Sequence, residues 1–241
     1  MVQDWRIFGT PVLILGVGKF RNWFQAPKPF PIKTLLQRLF RKWLCIANSI
    51  YVNIGSWLGF SGASTVGVAT NSNTLLQLNK NYPLGSKGTI IELPRDSVIF
   101  KSVKKMGTWE LDESMFLADG LKRACKNTHK VALLDIGANT GLVTLQAMNL
   151  SNTSAEVFLF EPVPRHASAI KKNLRNLSNI NINEFGLSDK NGQAKIFTEA
   201  TNHGNTSLIN SVVPEIGMIS TQIQLVETKE YCAKFLNKFD R

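Results

Sequence analysis

Asp135 stands two residues ahead of Gly137-Ala138-Asn139-Thr140-Gly141, and Glu161 follows Gly141 by twenty residues. Glycines in such a loop let the chain turn tightly and let a ligand approach the backbone with no Cβ in the way, and Asn139 is among the few non-glycine residues that tolerate positive φ. The loop reads G-x-N-x-G, with Leu142 where the dinucleotide fingerprint would place a further glycine, and this weakens a pyrophosphate reading. A carboxylate at Asp135 suits a cofactor that carries an ammonium group and opposes a pyrophosphate. Glu161 occupies the place from which an acid takes both hydroxyls of a ribose. Each piece alone has a plain structural reading: Asp135 as a turn cap, the glycines as a turn, Glu161 as an exposed strand end. Together they point to a nucleoside cofactor.

Positioning those residues requires a strand, a glycine turn, a helix and a second strand. Residues 131–136 (VALLDI) form a continuous apolar run broken only by Asp135, residues 142–150 carry a helical pattern, and residues 157–160 are a second apolar run ending at Glu161 and Pro162-Val163-Pro164. Upstream, residues 88–100 contain two β-like runs (TIIEL, SVIF). Residues 109–121 read as a helix with Met115, Phe116 and Leu117 facing inward. Downstream, residues 222–226 read as a strand and residues 228–236 as a helix.

The 241 residues carry a net charge of +11, distributed unevenly. Residues 1–60 hold eight Lys/Arg against a single acid, Asp4, whereas residues 131–241 hold ten of each. A nucleic-acid-binding domain would spread basic residues around its working cleft, so the neutral C-terminal half argues against a nucleic-acid partner. Residues 7–18 (IFGTPVLILGVG) are uncharged but too short to span a bilayer, and read as a buried or interface-seeking segment. Residues 32–50 place Ile32, Leu35, Leu36, Leu39, Phe40, Trp43 and Leu44 on one helical face and Lys33, Arg38, Arg41 and Lys42 on the other, the pattern of a helix lying in an anionic membrane interface or packing its apolar face on the protein. Residues 43–60 approach a spanning length, which Asn48, Ser49, Asn53 and Ser56 weaken. No charge occurs from Trp43 to Asn79, and residues 61–73 (SGASTVGVATNSN) read as a linker. The expected placement is cytoplasmic, peripheral at the inner face of a membrane through the N-terminal segment.

Cys45, Cys125 and Cys232 form no CxxC and no Cys/His cluster, so neither a metal site nor a disulfide framework is expected. His129, His166 and His203 are isolated and read as surface or loop residues.

DIGANTGLVTLQA, FLFEPVPRHASAIKKNL, EFGLSDKNGQAKIF and NHGNTSL resemble, in order and spacing, the blocks of FkbM-type S-adenosylmethionine-dependent methyltransferases. The resemblance covers residues 90–241, beginning weakly at Gly107-Thr108-Trp109-Glu110, and leaves out roughly the first eighty. It implies an α/β, Rossmann-like class I methyltransferase fold with S-adenosyl-L-methionine as cofactor, and methyl transfer to a hydroxyl of a sugar, glycan or other small acceptor. It also implies that Asp135, Gly137, Ala138, Asn139 and Gly141 form the cofactor loop, that Glu161 binds the ribose, and that Leu187 and Ser188 lie beside the adenine. Asn202, Gly204 and Ser207 match a loop near cofactor or acceptor. No catalytic base follows from the residues, His203 being the one histidine in that loop. The domain expectation is a basic N-terminal segment and linker at 1–80 and a methyltransferase domain at 81–241.

Family members continue with a hydrophobic strand bearing a Lys-Ile-Asp-x-Glu-Gly type block, and that strand would lie against residues 131–136. Without it the expectation is an incomplete C-terminal half, an open apolar edge on the first strand and a truncated family member. The competing readings are a non-catalytic, membrane-associated remnant and an NAD-dependent oxidoreductase, the latter disfavoured by Leu142 and Asp135.

Overall fold

The computed structural model describes residues 2–7, 10–16, 61–69, 73–95, 97–127, 131–199, 206–207 and 218–239. In chain order these form β1 (Val2–Ile7), β2 (Thr10–Gly16), β3 (Ala63–Val68), β4 (Asn73–Leu78), β5 (Ile90–Pro94), α1 (Val98–Met106) and α2 (Leu111–Asn127). There follow β6 (Ala132–Ile136), α3 (Leu142–Ser151), β7 (Glu156–Phe160), α4 (Pro164–Asn173), β8 (Ile180–Asn183) and β9 (Gly186–Ser188). Last come β10 (Gly192–Glu199), β11 (Thr206–Ser207), β12 (Met218–Glu227) and α5 (Thr228–Phe239). The architecture is mixed α/β, with sheets ordered β1-β2-β6-β7-β8, β11-β10-β12-β9 and β3-β4-β5.

The largest sheet is parallel from β2 to β8, and only β1 runs antiparallel. Strand β6 is apolar on both sides because both faces of the sheet are covered. Ala132 and Leu134 join Phe158 and Phe160 on one face, where Phe185, Leu187 and Tyr231 of α5 pack against them. Leu133, Val157 and Leu159 point the other way, into the core shared with Leu117 and Leu121 of α2, Leu142 and Leu145 of α3, and Ile170 of α4. Each of these fully enclosed leucines contributes on the order of 2 kcal/mol. The helices on the two faces leave the carboxyl ends of β6 and β7 to carry the glycine loop and Glu161, the usual place for a ligand in a sheet of this kind.

The edge of β6 that was expected to be open is filled. Strand β2 lies parallel to it, Val12 opposite Ala132 and Gly16 opposite Ile136, with β1 outside. The uncharged run at 7–18, expected to be buried or interface-seeking, thus supplies a central strand. Its length suits a strand far better than a membrane span.

Within the expected linker at 61–73, residues 63–68 form β3 and residue 73 begins β4. Ala63 of β3 is fully buried with Leu76 and Leu78 of β4 in the same core as β6, and β3 pairs antiparallel with β4. Small residues here serve an edge strand.

The SVIF run is the start of α1, not a strand. Ser97 caps it, its hydroxyl oxygen accepting the Phe100 N–H at 3.0 Å, and Ile99, Phe100 and Val103 face inward. On α2 the inward residues are Ser114, Leu117, Ala118, Leu121 and Ala124, while Met115 is exposed, because the buried stripe follows a helical period rather than three consecutive positions. The amphipathic pattern at 32–50 lies outside the described residues. Among the described residues no helix is long and apolar enough to cross a membrane.

Candidate functional site

Asp135, near the carboxyl end of β6, is only 3% exposed. Its side chain faces the helical layer, where the Thr144 hydroxyl of α3 donates to Oδ2 at 2.5 Å. The carboxylate was expected to open on the crevice; it is instead held beneath α3, because alternation along β6 puts Asp135 on the Leu133 face. Burial pushes its pKa up to about 7, opposed by the Thr144 hydrogen bond and reinforced by the nearby charge of Glu161.

A carboxyl whose pKa is higher folded than unfolded takes up a proton on folding between about pH 4 and pH 7. The stability it favours is full below that window and is lost as pH rises through it. Wild-type protein should therefore lose stability from pH 5 to pH 7 relative to Asp135→Asn, with a slope of at most about 1.4 kcal/mol per pH unit. Urea titrations at both pH values read this, and parallel pH profiles for the two proteins would refute it.

The loop that follows is tied to β7. Gly137 and Ala138 both donate their N–H to the Phe160 carbonyl, at 2.9 and 3.2 Å. Gly137 sits at φ +79°, and a Cβ there would meet nothing within 4 Å, so this stretch of backbone faces open space where a ligand could approach. Asn139 takes φ +51°. Its side-chain Oδ1 is buried without a hydrogen-bond partner. Gly141 starts α3 at φ +75°, and a Cβ there would come within 2.7 Å of Leu174 Cδ1.

Glu161, 5% exposed, closes the loop from the β7 side. One carboxylate oxygen accepts the Asn139 N–H at 2.8 Å and the other accepts the Val163 N–H at 2.9 Å. A carboxylate has about four acceptor positions, and these two backbone bonds occupy half of them. His166, expected at the surface, is buried on α4 with Nδ1 3.6 Å from Glu161. Pro164 begins α4 and so places His166 on its inner face, next to that carboxylate.

Two buried amides that sequence reasoning missed brace this constellation. Asn173, at the end of α4, donates through Nδ2 to the carbonyls of Thr140 (2.9 Å) and Glu92 (3.0 Å), and its Oδ1 accepts the Glu92 N–H at 2.7 Å. It therefore fastens the glycine loop to β5. Beside it the buried Glu92 carboxylate accepts from Asn73 Nδ2 at 2.9 Å and pairs with Lys172 at 2.8 Å. Gln146 of α3 hydrogen-bonds both the N–H and the carbonyl of Trp109, and donates to the Ser114 hydroxyl at 2.7 Å. In sequence, Asn173 is a polar residue in a last helical turn and Gln146 one of four polar residues in α3, with Thr144, Asn149 and Ser151. Neither carries a spacing signal.

Asn173→Ala would leave the Thr140 carbonyl and both Glu92 backbone groups short of a partner. It should cost about 2 to 3 kcal/mol by urea unfolding. A cost below about 0.5 kcal/mol would show the bridge to be idle.

The structure thus brings together Asp135, Gly137, Ala138, Asn139, Gly141 and Glu161. Leu187 and Ser188 lie on β9 in the four-stranded sheet. Leu187 packs on the Phe158–Phe160 side, and the Ser188 carbonyl accepts the Thr228 hydroxyl at 2.8 Å. Asn202, His203 and Gly204 lie outside the described residues, as do Cys45 and His129. Cys125 and Cys232 are free, half-buried thiols whose pKa values burial raises. Among the described residues no group of three or more His, Cys, Asp or Glu is gathered as a metal site would require.

Fold and site together define a mixed α/β protein with a glycine loop, held between two buried acids, at the carboxyl ends of parallel strands. Comparison with family models, with curated proteins and with solved structures returned no match.

Proposed function

We propose that this chain is an S-adenosylmethionine-dependent O-methyltransferase of the FkbM type, acting on a hydroxyl of a sugar, glycan or other small acceptor. The observation that carries the reading is the meeting of the Asp135 strand end, the open Gly137 backbone and Glu161 around one loop. The sheet suits a class I methyltransferase, with β6 flanked by β7 and β8 on one side and by a parallel strand on the other. The residues fit the cofactor chemically. Glu161 retains acceptor capacity for ribose hydroxyls, and the unpartnered Asn139 Oδ1 is suited to a donor on the amino-acid end of the ligand. A pyrophosphate would meet the Glu161 carboxylate here.

Bound S-adenosylmethionine would supply an activated methyl group on sulfonium sulfur. The protein's part is to hold the acceptor oxygen in line with that carbon and to exclude water. Cytoplasmic placement, with peripheral membrane contact through the basic N-terminal segment, belongs to the same proposal.

Calorimetry with S-adenosylhomocysteine and NAD tests it. S-adenosylhomocysteine should bind and NAD should not. A cationic ligand amine favours the ionised form of Asp135, so binding near pH 7 should release a fraction of a proton, seen as a dependence of the heat on buffer ionisation enthalpy. Preference for NAD would replace the reading with an oxidoreductase, and absence of binding by either would leave a non-catalytic module.

A further inference from the structure

Helix α1 presents an outer face of one chemical kind. Val98, Lys101, Lys104 and Lys105 are exposed, Ile99, Phe100 and Val103 are buried, and the helix carries no acid. Edge strand β3, against which α1 packs, is also free of acids and leaves Val66 50% and Val68 62% exposed. With Val98 at 51%, these are three of the five exposed large hydrophobics among the described residues. Val98 shares the outer face of α1 with Lys101 and Lys105 at helical spacing, and neither α1 nor β3 carries an acid, which matches a surface that meets anionic headgroups through its charges and the acyl boundary through its apolar tips.

Chain continuity favours the same partner. The charge-free stretch that begins at Trp43 runs into β3, and its junction is fastened to the end of α1. The Ser61 hydroxyl donates to the Lys104 carbonyl at 3.1 Å, and the Gly62 N–H donates to the Lys105 carbonyl at 3.1 Å. Ser61 and Gly62, which follow residues 43–60 in sequence, are therefore fixed beside Lys104 and Lys105. The neutral half of the chain, residues 131–241, lies beyond it in sequence.

We infer that the α1–β3 face is a docking surface for an anionic lipid bilayer. It stands apart from the cofactor reading, because none of its residues belongs to the glycine-loop site. Its lysines set the preference for anionic lipid, and Val66, Val68 and Val98 supply shallow apolar insertion.

The test is co-sedimentation of the full chain with phosphatidylcholine vesicles, with and without about 30 mol% phosphatidylglycerol, at low and high salt. Wild-type protein should partition onto the anionic vesicles and be released by salt. The triple variant Lys101→Glu, Lys104→Glu, Lys105→Glu should lose at least about tenfold in partition coefficient. Its neutral counterpart with Gln at the three positions should lose less, with its unfolding midpoint unchanged, which keeps the test valid if the charge-reversed protein fails to fold. Unchanged partitioning of the Gln variant would assign any binding to the N-terminal segment and overturn the inference. So would equal binding to neutral vesicles, or capture by nucleic acid in preference to anionic vesicles.

Discussion

Replacing Glu161 by alanine should abolish measurable S-adenosylhomocysteine binding and cost about 3 kcal/mol of stability. Two losses combine. The Asn139 and Val163 N–H groups each give up a charge-assisted hydrogen bond to a carboxylate that is nearly fully enclosed, and hydrogen bonds to charged groups contribute about 1.5 to 3 kcal/mol each. The carboxylate that anchors the loop from the β7 side then no longer holds Asn139 at its positive φ. Partial relief is expected because removal of Glu161 also removes a like charge near Asp135, whose raised pKa should move down.

Glu161→Gln separates the two roles. It keeps one oxygen to accept an N–H but turns an amide NH2 toward the other, so one contact becomes donor against donor. Most of the affinity should go with it, and about half of the stability loss should remain. Ligand calorimetry beside urea unfolding on the same preparations distinguishes these effects. Wild-type affinity in either variant would remove Glu161 from the site, whatever its effect on folding.

The second large effect is expected far from the acids. Ile14 lies in β2 between Gln3 of β1 and Leu134 of β6, in the stretch from Val12 to Leu15 that is paired on both sides. A proline at this position deletes one ladder donor and leaves its acceptor unpaired in the sheet. Ile14→Pro should lower stability by at least about 2 kcal/mol and speed amide exchange across residues 132–136. Hydrogen exchange read by mass spectrometry makes the result specific, because a local fault in the hairpin alone would leave β6 protected. If β6 amides exchange at the wild-type rate, β2 does not cover that edge.

The glycine-loop constellation was legible because its parts are local. An apolar run, an acid, a glycine turn and a helical period are all written within residues 131–161, and the turn demands residue types that tolerate positive φ at Gly137, Asn139 and Gly141. Helix α5 and strand β12 were legible for the same reason. SVIF misled because four apolar or β-branched residues fit a strand as well as a helix. The capping serine and the αL stop at Gly107, with φ +72°, decide for the helix. The run at Ala63–Val68, read as part of a linker, misled because an edge strand exposed along most of its length needs little hydrophobicity.

The site lost more in the reading than the fold did. Its acids were visible, but not what holds them. Thr144 reaches Asp135 only because α3 lies over β6, and Asn173 reaches Thr140 only because α4 brings the end of its last turn back to the loop. His166 is buried for the same reason. Such bonds join residues on different elements and leave no period in the sequence.

By itself, the sequence determined the acid, glycine loop and acid, the strand–helix–strand order around them and the basic character of the N-terminal part, because each is a matter of residue type and short-range spacing. Tertiary structure alone decided which strand lies beside β6. An apolar strand without charge is complementary to any similar edge, and only the folded topology shows that Thr10–Gly16, not a strand from later in the chain, takes that position. It also decided that Asp135 is shielded beneath a helix. Whether a carboxylate meets water or a threonine depends on which element covers its face of the sheet, and so does the shift of its titration toward neutral pH.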